Sequence, residues 1–131
     1  MIVTHLADAC ALIVYLAEPD PGRILSRDSV APLRQGQAGV SPVTVWEITR
    51  KTAIGKLPNT WAGYTSLPAL LQGQGFLPVP LTWQDAAETN LLPALHKDPM
   101  DRMLVAQALR LGLPVITEDA IFRDYGVRTV W

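Results

Sequence analysis

The feature that most constrains the fold is an alternation. Short apolar runs of strand character are separated along the chain by stretches bearing helix start and stop signals. IVTHLA (2–7) reads as a buried strand ended by Asp8, and residues 9–18 read as a helix stopped by Pro19 and Pro21. Residues 22–34 read as a second helix with Pro32 near its end, QGQAG as a loop and AGVS as a second strand. Ser41 then Pro42 is a capping hydroxyl followed by proline at the first helical position, so VTVWEITRKTAI is helical up to Gly55. Residues 59–71 are a further helical stretch. FLPVPL is an edge strand, because Pro78 and Pro80 cannot donate to a ladder. Thr82 with Asp85 resembles a capping box, with Asp in place of Glu or Gln, and opens another helix. Asp98 caps a helix that begins at Pro99 and closes at Gly112. LPVIT is a buried strand, EDAIFRDYG a short helix or turn, and VRTVW a last strand. This alternation implies an α/β fold in three layers: a central, mostly parallel sheet flanked by helices on both faces. With 131 residues and no repeat, low-complexity tract or linker, residues 1–131 are expected to form one domain.

Composition narrows the class. The chain is 49% hydrophobic and 18% charged, which is globular and not disordered. With 11 basic and 12 acidic residues and a net charge of −1, bulk attraction to nucleic acid is not expected. Cys10 is the only cysteine, so no disulfide forms within one chain, which fits a reducing cytoplasm. ACALIVYLA is preceded by Asp8 and lacks the positive flank of a secretory signal, and no apolar run is long enough for a bilayer.

The segment HKDPMDRMLVAQAL then poses a problem. Asp101 shares a helical face with Leu104, Val105 and Ala108, so a carboxylate sits on a stripe built for burial. Charge there is costly unless something positive lies beside it. In α/β sheets, ligands bind outside the carboxyl ends of the strands. Asp8 ends the first strand, Asp119 follows LPVIT, Glu47 lies in the second turn after AGVS, and Asp101 opens the helix that feeds LPVIT. Four acids distant in sequence are therefore expected at one edge. Carboxylates packed together repel, and a divalent cation relieves the repulsion. Hard oxygen ligands suit Mg²⁺ or Mn²⁺. His5 and His96 appear isolated in sequence and Cys10 stands alone, so zinc-type spacing is absent.

Each acid also has a plainer reading. Asp98 suits a helix cap, Asp101 a first-turn acid on the helix dipole, Glu47 an exposed pair with Lys51, and Asp119 a cap of the helix after LPVIT. Asp8 could be a turn residue after its strand, an odd choice so close to ACALIVYLA. Their joint arrival at one edge is the signal. Arg50, Lys51, Lys97 and Arg102 are candidates to hold substrate phosphates, with a solvated helix face as the alternative. There is no glycine-rich phosphate loop, and Ser41 lacks a GxSxG setting. Cys10 reads as small core packing. Trp46, Trp61, Trp83 and Trp131 read as core or interface residues rather than base-stacking platforms.

Taken together, ADACALIVYLAEP, VSPVTVWEITRKTAIGKL, LPALHKDPMDRMLVAQAL and VITEDAIFRDYGVRTVW resemble the PIN-domain ribonucleases, specifically VapC-like toxins of type II toxin–antitoxin pairs. The resemblance covers essentially the whole chain, and HKDPMDRMLVAQA is its most specific segment. It implies the three-layer PIN-like fold and metal-dependent cleavage of RNA. It carries Asp8, Glu47, Asp101 and Asp119 over as catalytic, metal-binding acids, with Asp98 a nearby helper and Thr117, in Thr117-Glu118-Asp119, a polar neighbour. One departure is Ala9-Cys10 after the first acid, where relatives often carry Thr-His or Ala-Ser. The resemblance also implies an RNA substrate, a cognate antitoxin whose segment covers the acidic groove, a homodimer, and a cytoplasmic location away from membranes. Two other classes compete. A receiver-like Mg²⁺-binding phosphoacceptor would need an acceptor aspartate after a central strand and a lysine after the last one, and the chain supplies neither. A degenerate PIN-like module that only binds partners would retain the acids for stability. The RNA target is not legible, although loops such as GKLPNTWAGY are where specificity would reside.

Overall fold

A computed structural model describes residues 2–59 and 61–131. Among them, five strands form one parallel sheet, β1 (His5–Ala7), β2 (Ala38–Val40), β3 (Leu77–Pro78), β4 (Val115–Ile116) and β5 (Thr129–Val130), in the order β3-β2-β1-β4-β5. Seven α-helices surround it: α1 (Ala9–Ala17), α2 (Arg27–Arg34), α3 (Pro42–Ala53), α4 (Leu67–Gly73), α5 (Trp83–Thr89), α6 (Pro99–Leu111) and α7 (Ile121–Asp124). The α/β three-layer expectation holds. The order also differs from the 2-1-3-4-5 arrangement of receiver-like sheets, which removes that alternative.

The layers follow from strand periodicity. On β1, Leu6 joins one core and Ala7 the other, and on β4 Val115 and Ile116 divide in the same way. One core gathers Leu12 of α1, Val30 and Leu33 of α2, Ile48 of α3 and Leu70 and Leu71 of α4. The second gathers Leu104, Val105 and Ala108 of α6 with Phe122 of α7. Each fully buried Leu, Ile or Phe contributes about 1.5–3 kcal/mol. α5 packs on the outer side of α6. A bidentate ion pair joins them, its carboxylate buried and its guanidinium partly exposed, with Arg110 Nε 2.6 Å from Asp85 Oδ1 and Nη2 2.9 Å from Oδ2. No helix among the described residues is long and apolar enough to cross a membrane.

Several local expectations change. The helix expected over 22–34 is a 3₁₀ turn at Pro21–Arg23 followed by α2, because the Ser26 hydroxyl caps the later start by accepting from Ser29 N–H at 3.3 Å. Its end is as expected, with Pro32 in the last turn of α2 and Arg34 its final residue. Of the helical stretch expected over 59–71, only Leu67 onward is helical. Gly63, at φ +94°, breaks the earlier part, and Ser66 caps the new start. Thr60 of that stretch lies outside the described residues. The edge role of FLPVPL holds, since among the described residues β3 pairs only with β2. The Thr82–Asp85 capping box is formed in both directions. Trp61 and Trp131 pack on the core, whereas Trp46 and Trp83 are 50% and 96% exposed and belong to no core.

Gly39 in β2 shows how closely the segments flanking β3 and β1 press on the strand between them. A Cβ there would lie 2.4 Å from Val79 Cγ2 and 2.9 Å from Val3 Cγ1, both on stiff β-branched side chains. Gly39→Ala is expected to destabilise the protein by about 1–3 kcal/mol in urea unfolding, the usual range for overpacking.

Candidate active site

β2 and β3 lie on one side of β1, and β4 and β5 on the other, so the strand order reverses between β1 and β4. That is where open parallel sheets leave a crevice at their carboxyl edge. Asp8 stands at the end of β1. It is in extended conformation (φ −78°, ψ 174°), and its Oδ1 accepts the Ala11 N–H at 2.8 Å, so it caps α1 and opens the crevice at once. Thr117 and Asp119 follow β4. Asp119 N–H donates to Thr117 Oγ1 (3.1 Å) and Asp119 Oδ1 accepts Ile121 N–H (3.0 Å), which folds the turn into α7. On α3, buried Thr44 donates its hydroxyl to the Ala7 carbonyl at 3.3 Å. This holds the helix against the end of β1, and Glu47 and Lys51 follow on the same face. Asp101 sits in the first turn of α6, above buried Leu104 and Val105, as its place on the apolar stripe requires. Asp98 caps α6 by accepting Met100 N–H at 2.9 Å.

These groups line one cavity of about 470 Å³, shared by Asp8, Glu47, Asp98, Asp101, Thr117 and Asp119. Glu118 lines it too, so six carboxylates face a single lining cation, Lys51. Lys51 Nζ lies 3.6 Å from Glu47 Oε1. The excess of negative charge has a chemical signature. Burial, with Glu47 and Asp101 nearby, pushes the Asp8 carboxyl up to about 6, against the Thr117 hydroxyl and the Ala11 N–H that favour its anion. Burial also raises Glu47, opposed by Lys51 and reinforced by Asp101 and Asp98. Asp101 rises for the same leading reason, with His96 opposing and Asp98 and Asp119 adding to it.

The tightest group of ligand-type atoms is not the predicted quartet. His96, Asp98 and Asp101 each place one atom within 4.8 Å of the others, and no other such trio occurs among the described residues. Asp8, Glu47 and Asp119 share the cavity and stand outside that trio. His96 was missed because it appears isolated in sequence. Five residues before Asp101, it lies in a loop that turns back, and Nε2 reaches Asp101 Oδ2 at 2.8 Å. Glu118 was passed over as the middle of the Thr117-Glu118-Asp119 pattern. Cys10 is not core packing, since it is exposed on the cavity wall with Sγ 3.7 Å from Glu118 Oε1.

Of the four cations proposed to hold phosphates, only Lys51 reaches the cavity. Arg50 lies 5.5 Å over the Trp46 ring, Lys97 is exposed off the cavity wall, and Arg102 donates to backbone carbonyls.

A family model for the PIN domain matches residues 6–127. The chain belongs to the PIN-domain family. Its fold is similar to that of a solved FitAcB from Neisseria gonorrhoeae, at 21% identity and TM-score 0.65 over 97% of this chain and 96% of that one. A structure of FitAB bound to an IR36 DNA fragment is similar at 19% identity and TM-score 0.65, over 95% and 92% of the two chains. VapBC2 from Rickettsia felis, bound to a DNA fragment from its promoter, is similar at 10% identity and TM-score 0.68, over 98% and 97%. No curated protein sequence gives a significant match. PIN domains are generally nucleases and typically depend on a divalent metal. The donor set of this one fits such an ion: hard carboxylate oxygens in excess over cations, and three acids displaced toward protonation by burial and one another.

Proposed function

We propose that this PIN domain is a VapC-like toxin: an endoribonuclease dependent on Mg²⁺ or Mn²⁺, held in check by a cognate antitoxin and acting as a homodimer. One observation carries the reading. Six carboxylates and one lysine line a single cavity at the carboxyl edge of the sheet, where the strand order reverses between β1 and β4. Asp8, Glu47, Asp101 and Asp119 are the residues to hold the ion, with Asp98 at the rim. A divalent cation supplies charge neutralisation and lowers the pKa of water, which suits hydrolysis of a phosphodiester.

The chain's own side chains do the rest. The cap bond to Ala11 fixes the Asp8 carboxylate. The Thr117 hydroxyl stands beside Asp8 and receives Asp119 N–H, so the two acids after β1 and β4 are set by one threonine. Acids displaced toward protonation are suited to accept a proton from the attacking water. Lys51 is the one lining cation able to meet a phosphate oxygen, and it must leave Glu47 to do so. The likeness to the FitAB and VapBC2 structures supports a partner chain. The excess of carboxylates makes the acidic cavity the place for it, where an inserted arginine would find bidentate acceptors.

The test is cleavage of a structured RNA pool by purified protein with Mg²⁺, with Mn²⁺ and with EDTA. Cleavage in both metals and none in EDTA is expected. Intact RNA in every condition, with metal bound and the protein folded, favours the partner-binding module.

A further inference from the structure

The connection between α5 and α6 is closed by one guanidinium. Arg102 Nη1 donates to the carbonyls of Pro93 (2.9 Å) and His96 (3.2 Å) and to Tyr125 Oη (3.0 Å). Its Nη2 donates to the carbonyls of Thr89 and Leu92, both at 3.0 Å. Tyr125 Oη donates to Pro93 O at 2.8 Å and accepts His96 N–H at 3.0 Å. A planar cation with five donors in a fixed fork can gather that many acceptors, and an ammonium cannot. The consequence falls on His96. Its N–H and its carbonyl are both tied, so its backbone is fixed on either side of the side chain. The imidazole Nε2 then meets Asp101 Oδ2 at 2.8 Å. Asp101 Oδ1 makes no hydrogen bond among the described residues, which leaves it to the cavity. Adjacent residues on α6 thus divide the work, with Asp101 facing the cavity and Arg102 the loop.

We propose that Arg102, together with Tyr125, is a positioning residue for the acidic centre: it sets the loop before α6 so that His96 fixes the plane of the Asp101 carboxylate. This rests on reading the acids as ligands of a divalent cation. Partners that orient a ligating group typically change metal affinity by roughly 10–100-fold when removed.

The experiment measures Mn²⁺ affinity of the full chain, without RNA, from the free-ion electron paramagnetic resonance signal. His96→Ala and Arg102→Met should each weaken binding about 10–100-fold. The double variant should be no weaker than the poorer single variant to within about threefold, because both act through one contact. Arg102→Lys should not restore affinity. Tyr125→Phe removes only the hydroxyl and should weaken binding in the same direction, and it decides the matter should Arg102→Met fail to fold. Parental affinity in Tyr125→Phe and Arg102→Met, or a double variant equal to the product of the singles, overturns the proposal. A parent chain that binds no Mn²⁺, or binds it equally well as Asp8→Asn and Asp101→Asn, overturns the reading of the acids instead.

Discussion

Asp8→Asn is expected to lose metal-dependent RNA cleavage by at least about 10²–10³-fold, each factor of ten being about 1.4 kcal/mol, yet to be no less stable than the parent at pH 8 in EDTA. The two halves have one cause. Burial holds the Asp8 carboxyl at about 6 in the folded chain, against an ordinary value of 3.8. The folded state therefore binds the proton more tightly than the unfolded state. Stability from this group is fully present below about pH 4, and it is lost as pH rises through 6. Above that range the parent carries a buried charge beside Glu47 and Asp101. Asn does not, and its amide oxygen can still cap α1 by accepting from Ala11 N–H. The gain at pH 8 is at most about 2–3 kcal/mol, from a shift of about two pH units. Thermal unfolding of both proteins at pH 4 and pH 8 in EDTA checks it, with the difference appearing only at pH 8. Asp8→Ala is the control, since it removes charge and cap together and the lost cap costs about 1 kcal/mol. Mn²⁺ should raise the melting temperature of the parent and leave Asp8→Asn nearly unmoved. An Asp8→Asn protein that cuts RNA at the parental rate would falsify the assignment of this acid. Asp101→Asn is expected to lose cleavage in the same way.

The second large effect concerns stability alone. Arg110→Met is expected to destabilise the chain by about 3–5 kcal/mol at pH 7, because it strands a buried carboxylate. For a chain of this length that is a fall in melting temperature of roughly 10–18 °C. Asp85 has 0% exposure. Burial alone would raise its pKa, but the Arg110 hydrogen bonds and charge, with the Thr82 N–H at 2.9 Å, bring it below the usual carboxylate range. In the parent this stability is present above the unfolded value of 3.8 and lost as pH falls through the lowered folded value. In Arg110→Met, burial wins and Asp85 prefers its proton. The deficit relative to the parent should therefore shrink as pH falls from 7 to 4. Adding Asp85→Leu should recover part of the loss, since an apolar side chain then fills the site of the stranded carboxylate. A deficit that stays constant with pH would show that lost packing, and not the stranded charge, is responsible.

Legibility varied along the chain for physical reasons. Helices whose caps are written in adjacent residues could be placed from sequence: Ser41-Pro42 for α3, Thr82 with Asp85 for α5, Asp98-Pro99 and Gly112 for α6. Pro78 and Pro80 likewise marked β3 as an edge, since a missing N–H is a local fact. The stretch before α4 was misread because helical composition does not reveal where a glycine takes positive φ, as Gly63 does. Within the site, Asp8, Glu47, Asp101 and Asp119 could be assigned to one edge, because strand ends and first helical turns have fixed places in a parallel sheet. His96 could not be assigned. It lies in an irregular loop, and nothing in its neighbours announces that the loop folds back onto α6. Arg102 was misplaced for the converse reason. A guanidinium beside an acidic motif suggests a phosphate, while the carbonyls that hold it come from the loop and α5 and its hydroxyl partner, Tyr125, from beyond α7.

By itself, then, the sequence determined the α/β alternation, the helix caps, the edge strand and the gathering of acids at the carboxyl edge. Each follows from dihedral preference, hydrogen-bonding capacity or periodicity within a few residues. Only the tertiary structure decided which charges face one another: Arg110 with Asp85, His96 with Asp101, Arg102 with a ring of carbonyls, and Lys51 alone among six carboxylates. Coulombic and hydrogen-bonded partners act over a few ångströms in space whatever their separation along the chain, so their pairing exists only once the layers have packed.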